Sequence, residues 1–451
     1  MKNIQFYKLL FTVFALGILL TSCDDFLEQE SLIFLENTDP INDDRSAQAA
    51  VNGMYAGLQA RSLYGSEFIL ANELTAGNAN AAGFSVFWRE LELAVIPTAN
   101  FHVEDNWVGF FRVINTANTI LEAVPSLTGV SDSRKNYFMG QAYFVRGLAY
   151  FDLLRQYGEF DIPGSQFGVP ISSEPILSPT NLSRSSVISV YTLIESDLTN
   201  AETLLSHSST RAYATQAAAE ALLAKVYLYQ GNYDEAFIYA EKVIDNTTYG
   251  LLGNYNSIYS TKLNNESILE LVFSEQDQNS FNINMLTSPP EVVASQSLYN
   301  AFENNDVRRQ LFAPEANGNI KCLKYGTSPN LGTANVIILR LAEMFLIRAE
   351  AHARNNGIED AIDDINRLRV RAGATPLSAA DFTNSEQVID AILAEKRLEF
   401  AFENGSYWFD IARLGKLMEI RGVPNFRRIY PIPNREMLAD VTLEQNPGYE
   451  Q

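Results

Sequence analysis

Along much of the chain, apolar residues recur at roughly three- to four-residue intervals, the spacing of one buried helical face. Between Ser46 and Ala60 the apolar stripe is Ala47, Ala50, Val51, Met54 and Leu58, with Ser46 placed as N-cap. Residues 107–121 repeat the pattern, and Asn136–Tyr157 carries it through a longer helix stopped by Gly158. A connection with Pro163, Pro170, Pro175 and Pro179 leads to a further helix over 186–205. Near the C-terminal end, Leu393, Phe400 and Ile411 face one way while Glu395, Arg397, Glu399 and Glu403 take the polar side. Gly405 breaks that run where a left-handed residue fits.

Two stretches carry the same pair of helices. Ala224, Tyr227, Ala236, Ala240 and Val243 flank a Gly231-Asn232 turn. In 345–368, Ala349, His352, Ala361, Ile365 and Leu368 occupy corresponding places around Asn356-Gly357. Both resemble tetratricopeptide hairpins. A helix hairpin cannot bury its own apolar face, so hairpins stack. The fold class expected is mainly α: about four helical hairpins with irregular, loop-rich elaborations and a few short strands.

Two stretches break the periodicity. Residues 69–100 hold NELTAGNANAAGF and then Val86-Phe87-Trp88, a loop composition with aromatics inside it. Residues 246–340 are mixed: Ile268–Phe273 predicts a short strand or buried run, and a polar, turn-rich segment follows.

At the N-terminus, Lys2 and Lys8 precede an apolar run from Leu9 to Leu20, too short to span a bilayer of about 30 Å. It ends in Thr21-Ser22-Cys23, which resembles a bacterial lipobox. The organisation expected is a signal peptide over 1–22, a tether over 23–45 lipidated at Cys23, and one domain over 46–451, its parts meeting near 260. Such a chain is held to a membrane by its lipid without crossing it.

Charge and composition narrow the function. Lys and Arg number 33 against 54 Asp and Glu, a net charge of −21, which argues against nucleic acid. Cys23 and Cys322 cannot build a disulfide framework, and His102, His207 and His352 have no zinc spacing. No phosphate loop, dinucleotide fingerprint, HExxH or nucleophile elbow is present. With 54 acids a glycosidase-like pair of carboxylates would be uninformative. No enzyme activity, cofactor or metal is expected, although calcium among the acids is left open.

The stretch EKRLEFAFENGSYWFDIARLGK, residues 395–416, resembles the C-terminal signature of the SusD/RagB family, nutrient-binding lipoproteins of the Bacteroidetes outer membrane. AYFVRGLAYFDLLRQYG over 142–158, the Asp306-x-Arg308 pair and the QNPGY ending resemble that family too. The resemblance implies a cell-surface lipoprotein that captures oligosaccharide and delivers it to a TonB-dependent, SusC-like transporter barrel. The same architecture with peptide cargo, or a helical-repeat interaction module, are the alternatives. The signature residues Glu395, Arg397, Glu399, Glu403, Trp408, Asp410 and Arg413 read as a structural ion network around a core tryptophan rather than a ligand site.

Sugars present hydroxyl rims and apolar C–H faces, so their sites pair amides and carboxylates with flat aromatics. The stretch from Asn72 to Trp88 is densest in both. Asn72, Glu73, Asn78 and Asn80 offer donors and acceptors; Phe84 and Trp88 offer faces, with Phe87 favoured as core and Trp88 open between platform and core. Gln276, Phe281 and Asn282 are expected to face them from the 276–290 loop.

Overall fold

A computed structural model describes residues 40–206 and 210–449; the leader, Cys23, the acidic start of the tether and His207 lie outside the described residues. Its longer helices are α1 (Asp44–Leu58), α2 (Glu67–Ala76), α3 (Val86–Glu92), α4 (Phe101–Ala123), α5 (Asp132–Tyr157), α6 (Val187–Leu204), α7 (Gln216–Gln230) and α8 (Tyr233–Ile244). After a mixed segment come α9 (Leu341–Arg354), α10 (Ile358–Arg371), α11 (Ser385–Phe400) and α12 (Ser406–Arg413). Three two-stranded antiparallel pairs join β1 (Ala79–Ala81) to β3 (Val292–Ala294), β2 (Ser267–Leu271) to β6 (Val336–Arg340), and β4 (Phe312–Pro314) to β5 (Ile320–Cys322). The mainly α, hairpin-based fold expected from the sequence is the one observed.

Helices α4, α5, α6, α7 and α8 each pack on the next, and α8 then packs on α9 although almost a hundred residues separate them. The turns explain why these helices fold back. Gly231 ends α7 at φ +76°, and the Asn232 side chain accepts from Glu235 N–H to open α8. Between α9 and α10 the left-handed position falls on Asn356, at φ +63°. Ala224, Ala236, Ala240, Ala349 and Ala361 are fully buried, which lets the helices approach closely.

Several local readings need correction. The N-cap of α1 is Asp43, whose carboxylate accepts from Ser46 N–H, while Ser46 returns a bond to Asp43 N–H in a capping box. Helices α2 and α3 occupy part of the stretch read as loop. All ten residues of α2 are buried, so it has no polar face to reveal a helical period. Helix α3 has only seven residues, too few for periodicity to stand out.

The ionic residues of the signature are buried. Arg340, at the end of β6, reaches Glu266 Oε1 and Glu399 Oε1 at 2.6 Å each and Glu403 Oε1 at 2.9 Å. Arg308 contacts Glu399 Oε2 at 3.0 Å, Glu395 Oε1 at 2.5 Å and Asp306 Oδ2 at 2.8 Å. Arg371 pairs with both Glu266 and Glu399. Burial pushes the Glu399 carboxyl up, but Arg371, Arg340 and Arg308 outweigh it and hold the group well below the usual range. Arg413 grips Glu350 with two bonds of 2.6 Å and Asp410 with one of 2.8 Å, beside a fully buried Trp408. Arg397 departs from the expected network: among the described residues its side chain bonds Asn78 Oδ1 and Ser297 Oγ and no carboxylate.

Residues 425–449 tie back onto the N-terminal helices. Tyr430 N–H donates to Gln156 O at 2.6 Å, and its hydroxyl lies 2.7 Å from Thr75 Oγ1. Asn446 donates to Tyr157 O at 2.8 Å and accepts from Arg184 at 2.7 Å. One buried cluster therefore runs from Ala47 to Leu443.

Candidate functional site

Helix α2 ends at Gly77, whose φ of +79° is left-handed and whose missing side chain makes room for Arg421: a Cβ there would come within 2.5 Å of Arg421 Nη1. The chain then enters β1, which pairs with β3 from Ala79↔Ala294 to Ala81↔Val292. Ser295 N–H donates to Asn78 O, and Ala82 and Gly83 N–H donate to Glu291 O. This pairing joins residues 291–295, which follow the 276–290 loop, to the Asn72–Trp88 stretch.

An open cleft of roughly 550 Å³ lies between the end of β1, α3, residues 295–297 and the short helix Leu417–Arg421. Its polar lining is Asn80, Arg89, Glu92, Gln296, Ser297 and Arg421. Glu92 is already engaged: Arg89 reaches one carboxylate oxygen at 2.6 Å and the Asn80 amide donates to the other at 2.7 Å. Arg421 donates to the carbonyls of Thr75 and Glu92, both at 2.7 Å, the second at the C-terminal end of α3.

On the same hairpin of chain, Phe84 is 95% exposed, Phe87 37% and Phe101 50%. The Phe87 and Phe101 ring centroids are 6.2 Å apart and tilted by 41°. Leu93 lines the cleft and is exposed, and Val86 and Val95 are exposed beside it in sequence. Within the cleft itself Leu93 adjoins the polar lining, and the exposed phenylalanines lie close to the α3 lining residues in sequence; a hydroxyl-rich ligand requires both kinds of group.

The structure separates the nine candidate residues. Asn80, Phe84 and Gln276 are exposed. Asn72, Glu73, Asn78, Trp88, Phe281 and Asn282 are buried and cannot meet a ligand in this state, a correction to the sequence reading. Asn72 bonds Phe68 O and Tyr430 Oη inside the core. Trp88 is 2% exposed and stacks on His102 with centroids 3.7 Å apart, so the platform reading fails; Phe87, favoured as core, is instead partly open. Phe281 stacks on Tyr325 at 3.6 Å, and Asn282 donates to Pro329 O at 2.8 Å. Arg89, Glu92, Phe101, Gln296 and Arg421 were missed. Only Phe101 carried a signal, as an aromatic four residues after Pro97 in an otherwise polar turn.

Glu73 lies beneath the cleft. Asn78 donates to its Oε2 at 2.8 Å, and Asn78 accepts from Arg397 at 2.8 Å. Burial pushes this carboxyl up from 4.5 to about 7, against the pull of the Asn78 bond. Below about pH 4.5 it is protonated folded or unfolded and costs nothing; as pH rises toward 7 the unfolded chain releases the proton first, and folding weakens. Glu73→Gln should remove that slope. In urea unfolding at about pH 5.5 and about pH 8.5, the wild type should lose roughly 2 kcal/mol more than the variant across the interval. Equal slopes would place the Glu73 titration elsewhere.

The family model described as "Starch-binding associating with outer membrane" matches residues 25–228, and the model "SusD family" matches residues 304–423. SusD-like protein P2 of Formosa agariphila is 27% identical, over 98% of this chain and 99% of its own length. The solved putative sugar binding protein from Bacteroides vulgatus superposes with a TM-score of 0.80 at 25% identity, over 92% of this chain and all of its own. A solved laminarin-binding SusD-like protein superposes with a TM-score of 0.75 at 24% identity, over 91% of this chain and all of its own. The 395–416 signature, the stacked hairpins and these matches agree, and the chain belongs to the SusD/RagB family.

Proposed function

We propose that the protein is a glycan-binding component of the outer membrane, anchored by lipid at Cys23, that captures oligosaccharide and passes it uncut to a SusC-like, TonB-dependent transporter barrel. The observation that carries this reading is an open cleft lined by amides and guanidinium groups, with the exposed phenylalanines Phe84, Phe87 and Phe101 near its α3 residues in sequence. Starch binding in the description of one matching family model, and laminarin binding in the name of one solved relative, support a carbohydrate as the cargo. Among the described residues no helix is long and apolar enough to cross a membrane, which is compatible with a lipid tether. The reading calls for no cofactor.

Isothermal titration of residues 23–451 with a panel of oligosaccharides, and with peptides as the contrasting cargo, tests the reading. Saturable heat with a glycan supports it; heat with peptides alone sinks it. Phe84→Ala and Phe87→Ala should each weaken glycan affinity about tenfold, the order expected for losing an aromatic anchor. Phe84 is almost fully exposed, so its removal should leave stability within about 0.5 kcal/mol of wild type. Unchanged affinity in both variants would move the site away from this surface.

A further inference from the structure

We propose that the cleft selects anionic glycans, those bearing carboxylate or sulfate groups, and that Arg421 and Arg397 are the residues that select them. The proposal rests on the glycan-binding reading and narrows it to one substrate class.

The chain carries 21 more acidic than basic residues, so an arginine can readily find a carboxylate. Most do: Arg308, Arg340, Arg371 and Arg413 each touch two or three. At this cleft Arg89 keeps a carboxylate, Glu92, but Arg421 and Arg397 do not. Arg421 bonds only main-chain carbonyls, through Nε and Nη2. Arg397 bonds Asn78 Oδ1 and the hydroxyl of the cleft residue Ser297, also through Nε and Nη2. In each, Nη1 has no protein acceptor among the described residues. Holding two like charges close together costs free energy unless something compensates; burial depresses the Arg421 guanidinium most, Glu92 pulls it back up, and Arg397 depresses it further.

The acids nearby compensate only in part, with Glu92 raising the Arg421 guanidinium against burial and Arg397. Glu92 is the one carboxylate in the lining, and its oxygens are taken by Arg89 and Asn80. Glu73 lies buried behind Asn78, and burial favours its neutral form. The cleft therefore holds a local excess of positive charge on a strongly acidic protein. Two guanidinium groups held by Nε and Nη2, with Nη1 left over, offer charge-assisted donors to an anion. Gln296 and Asn80 in the same lining suit the hydroxyls of the sugar that carries it. Leu93 in that lining offers its C–H faces an apolar contact.

The test titrates the residue 23–451 protein with oligogalacturonate and its methyl ester, a sulfated galactan oligosaccharide and its desulfated form, and neutral laminarin and starch oligosaccharides. At least one anionic member should bind, its neutralised counterpart should bind about tenfold more weakly or worse, and affinity should fall as salt rises. The carboxylate and sulfate pairs show which anion is preferred. Arg421→Gln and Arg397→Gln should each reduce the charged-over-neutral preference about tenfold and flatten the salt dependence. Arg421→Lys keeps the charge and loses the planar fork; it should retain the salt dependence with only part of the affinity, which a merely structural arginine would not produce. Binding of neutral sugars alone, or a preference that survives both glutamine variants, overturns the anionic proposal and leaves the glycan reading standing. Binding of no sugar, with saturable peptide binding, overturns both.

Discussion

Arg340→Ala should destabilise the protein by about 3–5 kcal/mol, seen as a lowered midpoint in urea or guanidinium unfolding or as failure to accumulate folded protein. The side chain is 1% exposed and contacts three carboxylates, on Glu266, Glu399 and Glu403. Its loss leaves those acids facing one another in a site from which water is largely excluded. Removing one partner of a buried pair costs far more than the intact pair contributes, because the remaining charges stay desolvated. Arg371 and Arg308 still reach Glu399, but among the described residues Glu403 would keep Lys324, at 3.6 Å, and the Tyr259 hydroxyl, at 2.6 Å. Arg340→Lys should recover part of the loss, since one ammonium cannot reproduce a fork that bonds three acids. An alanine variant within about 1 kcal/mol of wild type would contradict a buried, closed network here.

Trp88→Ala should behave as a core truncation and cost about 3–5 kcal/mol. The indole stacks on His102, whose Nδ1 lies 3.1 Å from Glu67 Oε2, and Glu67 in turn holds Arg61 at 2.6 Å. Removing the ring therefore opens a cavity and unsettles the buried His102–Glu67 contact between α2 and α4. The comparison with Phe84→Ala is informative because the two residues are four apart in sequence and opposite in exposure, 2% against 95%. Differential scanning calorimetry should show a large fall in the midpoint for Trp88→Ala and little change for Phe84→Ala. A Trp88→Ala protein that melts like wild type but binds glycan weakly would reinstate the tryptophan as a ligand platform.

These two residues show where sequence was informative. The hairpins were legible because small residues, a Gly-Asn or Asn-Gly turn and helical spacing all point to the same local geometry. The acids of the signature were recognisable as structural, yet their partners were not: Arg340 and Glu266 reach them only because β2 pairs with β6. At the candidate site, six of the nine residues named from the sequence are buried. Asn78 and Asn80 have the same chemistry two positions apart. The first is buried against Glu73 and Arg397, while the second is the exposed middle residue of a three-residue strand. So short a strand has no alternation to read. Arg421 lies about 340 residues from the carbonyls it bonds, and that it bonds carbonyls rather than a carboxylate among the described residues becomes visible only when the fold gathers the cleft.

The binding of residues 425–449 to α2 and α5 has a consequence for biogenesis. A polypeptide leaving the ribosome, or threading through a secretion pore, exposes its first two hundred residues long before Tyr430 and Asn446 arrive to seal Gln156 and Tyr157. Until then the apolar faces of α2 and α5 lack their final cover, and such surfaces invite aggregation. Maturation must therefore wait for the whole sequence to emerge, and an escort that shields greasy surfaces in transit would be of greatest use during that delay.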